Sequence, residues 1–384
     1  LSNMKDKTIL FVILFLIFIS MHMQFPVFTP LAVSLGAGSF LIGVMLSTTS
    51  FVNLTGNIVA GSYIDRFGAK WFIVIPLFLL SISLFSHTFI EKSSHLFFLR
   101  VVNGFILAFL TPACMTMLAS FAKSSQKQSK NMAMNTLIVT LAMTVAPLIG
   151  GFLGERFGAD GAYYAISFTT AVAFILSLFF LNQPSKVRPV KKETGILAMF
   201  LYPPLLPVFL TGFAIMFAQG TLMYELPFLS VEQGVTKGTV GLMAAFMGIG
   251  TLIVLSLVFL HKLPAKFRAV VGLFMMAGAL VWIMFSGSIP TKGSLILFGA
   301  ASGVIMPAMM TLVTEAIEEG NRGKAFAFLS AVFSVGTISS PFIAAAVRTY
   351  ISPYFVAWVV MMFVIMFIGL VLMNSQKHRK TIQS

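Results

Sequence analysis

Val356-Ala357-Trp358-Val359-Val360-Met361-Met362-Phe363-Val364-Ile365-Met366-Phe367-Ile368-Gly369-Leu370-Val371-Leu372-Met373 runs through eighteen positions without one charged side chain. A helix of about 20 apolar residues spans the hydrocarbon core of a bilayer. Backbone N–H and C=O groups in lipid must be satisfied within the segment, so only helices and closed barrels cross. A barrel strand would be shorter and would alternate polar with apolar residues. This stretch does neither, and Ile9 to Ile19 reads the same way. The pattern pervades the chain: 58% of its 384 residues are hydrophobic and 9% charged, against about 25% charged in soluble domains.

Polar breaks divide the chain into twelve predicted helices, near residues 8–30, 39–62, 71–90, 96–120, 133–154, 162–182, 200–225, 238–260, 269–287, 293–314, 325–347 and 354–373. The first apolar run is too long for a signal peptide and lacks a nearby small-residue cleavage site, so it is read as a span. The net charge of +14 is explained by position rather than by nucleic acid. Nineteen of the 25 Lys and Arg residues fall on the side that holds both termini, and five, Lys92, Arg156, Lys237, Lys292 and Arg348, on the other. Arg100 lies inside a helix. This bias places both termini in the cytoplasm of a plasma membrane, here expected to be bacterial.

A basic, proline-containing linker over 183–196 separates two six-helix bundles, 1–182 and 197–384. The bundles repeat one another. Ala142, Ala146, Pro147, Gly150 and Gly151 are matched by Gly336, Ser340, Pro341, Ala344 and Ala345, while Gly104 and Pro112 are matched by Gly299 and Pro307. Gly36 and Gly43 pair with Gly234 and Gly241 in the same way. Small residues are common in membrane helices because they allow close packing, but that does not produce a nearly constant offset.

Gly61-Ser62-Tyr63-Ile64-Asp65-Arg66-Phe67-Gly68-Ala69-Lys70 falls between the second and third predicted helices. It resembles the loop signature of the major facilitator superfamily, with Ala69 where a basic residue is usual. The matching loop near His261 to Arg268 lacks the Asp-Arg-x-Gly core. The resemblance implies an all-α integral membrane protein with twelve transmembrane helices in two pseudo-symmetric bundles. It also implies alternating access, with Gly61, Asp65, Arg66, Gly68 and Lys70 gating the cytoplasmic side. Gly61 is expected to permit close helix contact and Gly68 a sharp turn. Ala146-Pro147-x-x-Gly150-Gly151 resembles the signature of proton-coupled antiporters in that superfamily, with Ala146 for the first Gly, and there the pattern accompanies export. Arg100-x-x-Asn103-Gly104 resembles a second antiporter signature, with Asn103 for Gln.

The candidate substrate- and proton-binding residues are Arg100, His22, Gln24, Asn103, Asn135, Gln219, Tyr224 and Glu225. An intramembrane Arg marks a pathway or paired site, or else snorkels to the interface from about one turn inside the helix. His22 is either a proton carrier or a hydrogen-bonded packing residue. Glu225 is a proton carrier if desolvated, or a solvated residue at the outer mouth before Pro227. The first helix has no acid to pair with a cationic drug, and this balance points to an anionic or zwitterionic metabolite, such as a carboxylate siderophore. Efflux of lipophilic cations is the alternative, followed by proton-coupled import and lipid flipping. No metal-ligand cluster, nucleophile elbow or phosphate-binding loop is present in the sequence. The chain is therefore expected to be no enzyme, to need no cofactor, to draw on the proton gradient, and to work as a monomer in the bilayer on a small-molecule substrate.

Overall fold

A computed structural model describes residues 2–121, 125–182, 204–318 and 322–383. The predicted linker, 183–196, lies outside the described residues. The elements are helices throughout: α1 Ser2–Met23, α2 Phe25–Ser34, α3 Ser39–Phe67, α4 Trp71–Ser86, α5 Ser93–Ser120, α6 Ser125–Phe180, α7 Leu206–Glu225, α8 Phe228–Glu232, α9 Lys237–Ser256, α10 Ala265–Phe285, α11 Lys292–Ala316, α12 Arg322–Val347 and α13 Pro353–Gln383. Short 3-10 turns cover His87–Phe89 and Val258–Lys262.

Eleven apolar spans of crossing length are found among the described residues, where the sequence divides into twelve. The difference lies in α6. Its span Lys130–Phe180 has 51 residues, more than twice the length one crossing needs. Inside it Gly158 takes φ +73°, a conformation a helix cannot propagate. The predicted helices 133–154 and 162–182 flank that kink. In the first predicted helix, α1 gives way to α2 at Gln24, because Pro26 enters the first turn of α2 without an N–H to donate back. The fourth begins at Ser93 rather than 96, so Arg100 lies about two turns inside α5.

By contact density the chain forms two compact units, Leu1–Lys191 with Glu225–Gly248, and Lys192–Tyr224 with Ile249–Ser384. In the first, α1 packs along α6, α3 along α5, and α4 against both α5 and α6. The buried stripe Leu10, Ile13, Leu14 and Ile17 has the i, i+3, i+4, i+7 spacing of one helix face, and Ile73, Leu77, Leu80 and Leu84 follow one face at i, i+4, i+7 and i+11. In the second unit α10 packs on α11 and α13.

Each unit has its own close contacts at small residues and a threonine-to-backbone bond between neighbouring helices. In the first, a Cβ at Gly150 would strike the backbone of Met23, and Thr49 Oγ1 donates to Arg100 O over 3.3 Å. In the second, Gly336 lies against Phe213 and Met216 of α7, and Thr251 Oγ1 donates to Gly299 O over 2.9 Å. The paired turn glycines agree in conformation, Gly36 with φ +79° and Gly234 with φ +66°.

Candidate functional site

Arg100 is enclosed by four helices of the first unit. Gly104, one turn further along α5, fixes its depth: a Cβ there would press on the Thr49 carbonyl, so α5 and α3 run backbone to backbone. The Arg100 side chain is 8% exposed. One terminal nitrogen, Nη2, donates to the hydroxyl of Tyr163 on α6 over 3.3 Å. The guanidinium carbon lies 3.7 Å from the ring centre of Phe28 on α2, a close cation–π contact. Its Nε–H is buried with no hydrogen-bond partner. No carboxylate among the described residues pairs with it.

The surroundings extend that polar cluster. The His87 ring, just beyond α4, stacks on Tyr163 with centroids 4.5 Å apart and planes 12° apart. Its Nδ1 lies 2.8 Å from Ser83 O. A carbonyl only accepts, so Nδ1 carries the proton, and Nε2 is buried without a partner. Ser83 Oγ donates to Asn103 Oδ1 over 2.7 Å, leaving Asn103 Nδ2 unpartnered. Three buried polar atoms on Arg100, His87 and Asn103 thus lack partners, whereas buried polar groups in proteins are almost always satisfied. Two of the three, Arg100 Nε–H and Asn103 Nδ2, are donors, and beside the guanidinium charge they suit an oxyanion, while His87 Nε2 is left as an acceptor.

The antiporter-like stretch of α6 performs a different task. Gly150 seats on Met23 at the α1–α2 break, and Gly154 on Val27. Gly151 faces the Lys237 carbonyl at the start of α9, and Gly241 of α9 faces the Pro147 carbonyl. Ala146 is fully buried. Next to these contacts the two helix ends cap one another. Glu155 Oε2 accepts from the Gly238 N–H over 3.1 Å, at the positive end of α9, and Lys237 Nζ donates to Gly154 O over 3.3 Å.

The other sequence candidates are dispersed. His22 is half-buried, its Nδ1 2.8 Å from Phe18 O. Gln24 is buried at the kink, with Nε2 3.4 Å from Ser20 O and Oε1 unpartnered. Asn135 Nδ2 lies 4.0 Å from Met115 Sδ. Gln219 is half-buried on α7, and Tyr224 and Glu225 are buried at its end with interactions of their own. In the loop signature, Gly68 takes φ +86° and ends α3 in a turn. Arg66 is exposed over Phe67, and Lys70 lies over Trp71. A Cβ at Gly61 would meet nothing within 4 Å. The expected close helix contact occurs instead at Gly56, against Ala108. The Asp65 side chain lies outside the described residues.

Sequence reading missed His87, Tyr163, Ser83, Phe28 and Glu155. His87 ends an apolar run beside polar loop residues and carries no local mark of burial. Tyr163 is 63 positions from Arg100, and Glu155 is 83 from Gly238.

The Major Facilitator Superfamily model matches residues 10–297 and 292–383. The chain belongs to the major facilitator superfamily. This membership makes it a multi-pass membrane transporter of small molecules, and its relatives are transporters rather than enzymes. It is 25% identical to the multi-drug resistance efflux pump PmrA of Streptococcus pneumoniae over 339 residues, covering 83% of this chain and 84% of that one. It is 25% identical to the quinolone resistance protein NorA of Staphylococcus aureus over 182 residues, 47% of this chain and 46% of that one. Among solved structures, a bacterial homologue of the human lysosomal transporter Spinster, in an inward-facing unoccupied conformation, superposes with TM-score 0.75 at 16% identity, over 96% of this chain and 95% of that one. The nucleoside transporter NupG superposes with TM-score 0.73 at 17% identity, over 96% and 99%. These likenesses show the major facilitator fold.

Proposed function

We propose that this major facilitator transporter exports a small amphiphilic molecule bearing a carboxylate, in exchange for protons, by alternating access. The observation that carries this reading is the Arg100 guanidinium, buried among α2, α5, α6 and the turn that follows α4, with an unpartnered Nε–H and no carboxylate among the described residues paired with it. A buried, unpaired charge is costly, and a ligand carboxylate would supply the missing partner, with Asn103 Nδ2 adding a donor. The antiporter-like Ala146-Pro147-x-x-Gly150-Gly151 supports the export direction and the use of the proton gradient. The charge bias of the loops supports cytoplasmic termini in a bacterial plasma membrane. A carboxylate siderophore is one candidate substrate.

Efflux of lipophilic cations is the second reading, favoured by the similarity to PmrA across most of the chain. In that case Glu225, buried at the end of α7, is the acid that meets the cation.

Equilibrium binding of a carboxylate compound and its methyl ester to the purified protein separates the two. Losing one charge-assisted hydrogen bond, worth about 1.5–3 kcal/mol, weakens binding roughly ten- to a hundredfold. The carboxylate reading expects that loss on esterification, and expects Arg100→Met to bind acid and ester alike. Equal affinity of the wild type for both would overturn it.

A further inference from the structure

The second unit contains a cavity of 420 Å³ between α7, α10, α11 and α13. The volume lies within the range of about 300–1,000 Å³ found for small-ligand sites. Its walls are apolar, with Val208, Val270, Met309 and Ile368 among them, and two charged side chains, Lys266 and Glu315, join the lining. Both are exposed, and neither has an ion pair or hydrogen bond with the described residues.

The placement of these two charges is unusual. Lys266 stands in the first turn of α10, where the helix dipole is already positive, and Glu315 in the last turn of α11, where it is already negative. Helix stability favours the opposite arrangement, acids at N-termini and bases at C-termini. Here each charge adds to the pole beneath it, so one cavity has a strongly positive and a strongly negative flank. The cavity lies where α7 and α10 begin and α11 ends, on the side of the bundle that carries Lys262, Lys266 and Arg268.

We propose that this cavity holds a membrane phospholipid whose headgroup combines a phosphate with a primary ammonium. The phosphate lies against Lys266 and the first-turn N–H groups of α10. The ammonium lies against Glu315 and the last-turn carbonyls of α11, and acyl chain fills the apolar walls. A primary ammonium donates hydrogen bonds to the carboxylate and to those carbonyls. A trimethylammonium donates none, and an anionic headgroup without an amine has nothing for Glu315. Specificity is therefore expected for phosphatidylethanolamine over both phosphatidylcholine and phosphatidylglycerol.

The test is native mass spectrometry of the full chain from bilayers of equal parts phosphatidylethanolamine, phosphatidylcholine and phosphatidylglycerol. The wild type is expected to retain phosphatidylethanolamine about tenfold over the other two, the ratio one charge-assisted contact supports. Lys266→Glu and Glu315→Lys each abolish the preference, and the double reversal does not restore it, because the N–H groups of α10 and the carbonyls of α11 keep their places and disfavour a headgroup turned around. Val270→Trp, which fills the cavity without touching either charge, lowers lipid retention at unchanged melting temperature. Equal retention of all three lipids by the wild type, or an undiminished preference in both single variants, overturns the proposal. So does displacement of the lipid by a transported carboxylate compound, which would make the cavity part of the substrate path.

Discussion

Gly150→Ala and Gly61→Ala are the same chemical change in the same kind of helix, and the structure assigns them opposite consequences. In a helix interior Ala is favoured over Gly by about 1 kcal/mol. At Gly61 the added methyl meets nothing within 4 Å, so that gain stands. At Gly150 the methyl falls against the backbone of Met23, 2.7 Å from its carbonyl carbon and 2.8 Å from its Cα. Comfortable carbon contacts lie at about 3.5–4.0 Å, so α1 and α6 must separate by about 1 Å. Backbone has no rotamer with which to yield, and overpacking of this kind costs about 1–3 kcal/mol. The propensity gain of about 1 kcal/mol is common to both, so the two variants should differ by the overpacking cost alone, about 1–3 kcal/mol. At about 2 °C per kcal/mol for a chain this long, that separates their melting temperatures by roughly 2–6 °C. The assay is thermal unfolding in detergent, paired with transport in vesicles, where Gly150→Ala should also be slow because Met23 adjoins the Gln24 break. Equal melting temperatures and equal transport would refute the packing assigned to the Ala146–Gly151 stretch.

Arg100→Ala is expected to abolish transport of carboxylate compounds while the protein still inserts, checked by surface labelling beside uptake. Tyr163→Phe removes the acceptor of the Arg100 bond and should lower stability by about 0.6 kcal/mol, the mean found for hydrogen bonds inside membranes, read as a small drop in melting temperature. Glu155→Ala and Lys237→Ala both break the reciprocal capping between α6 and α9. A double-mutant cycle on thermal stability should find them coupled by at least about 0.5 kcal/mol, where independent sites would add. Asp65→Asn is expected to slow turnover more than it lowers folded yield, measured as transport rate against the amount of inserted protein.

Much of the architecture was legible because lipid leaves the backbone few options. Apolar length gave the helices, polar stretches gave their breaks, and Arg100 was conspicuous as a charge inside an apolar run. Which face of each helix packs inward was not legible. Phe298 is fully buried and Phe168 is 70% exposed, yet both sit in equally apolar surroundings, because lipid tolerates the residues that a bundle interior uses. Hydrophobic periodicity therefore carries little information on facing. The companions of Arg100 were hidden for a second reason: Phe28, His87 and Tyr163 come from three other helices, and no local spacing links them. The division at Gly158 was placed correctly as a break, although the backbone continues as helix on both sides of one residue.

Uptake into inside-out vesicles with an acidified lumen tests the central claim most directly. The vesicles carry either wild-type protein or Arg100→Ala, and are offered a carboxylate metallophore and a lipophilic cationic dye, with and without a protonophore. The account predicts that wild-type vesicles accumulate the metallophore, that the protonophore stops this, and that Arg100→Ala vesicles accumulate none. Accumulation of the dye alone, or metallophore uptake indifferent to both the protonophore and Arg100, would contradict it.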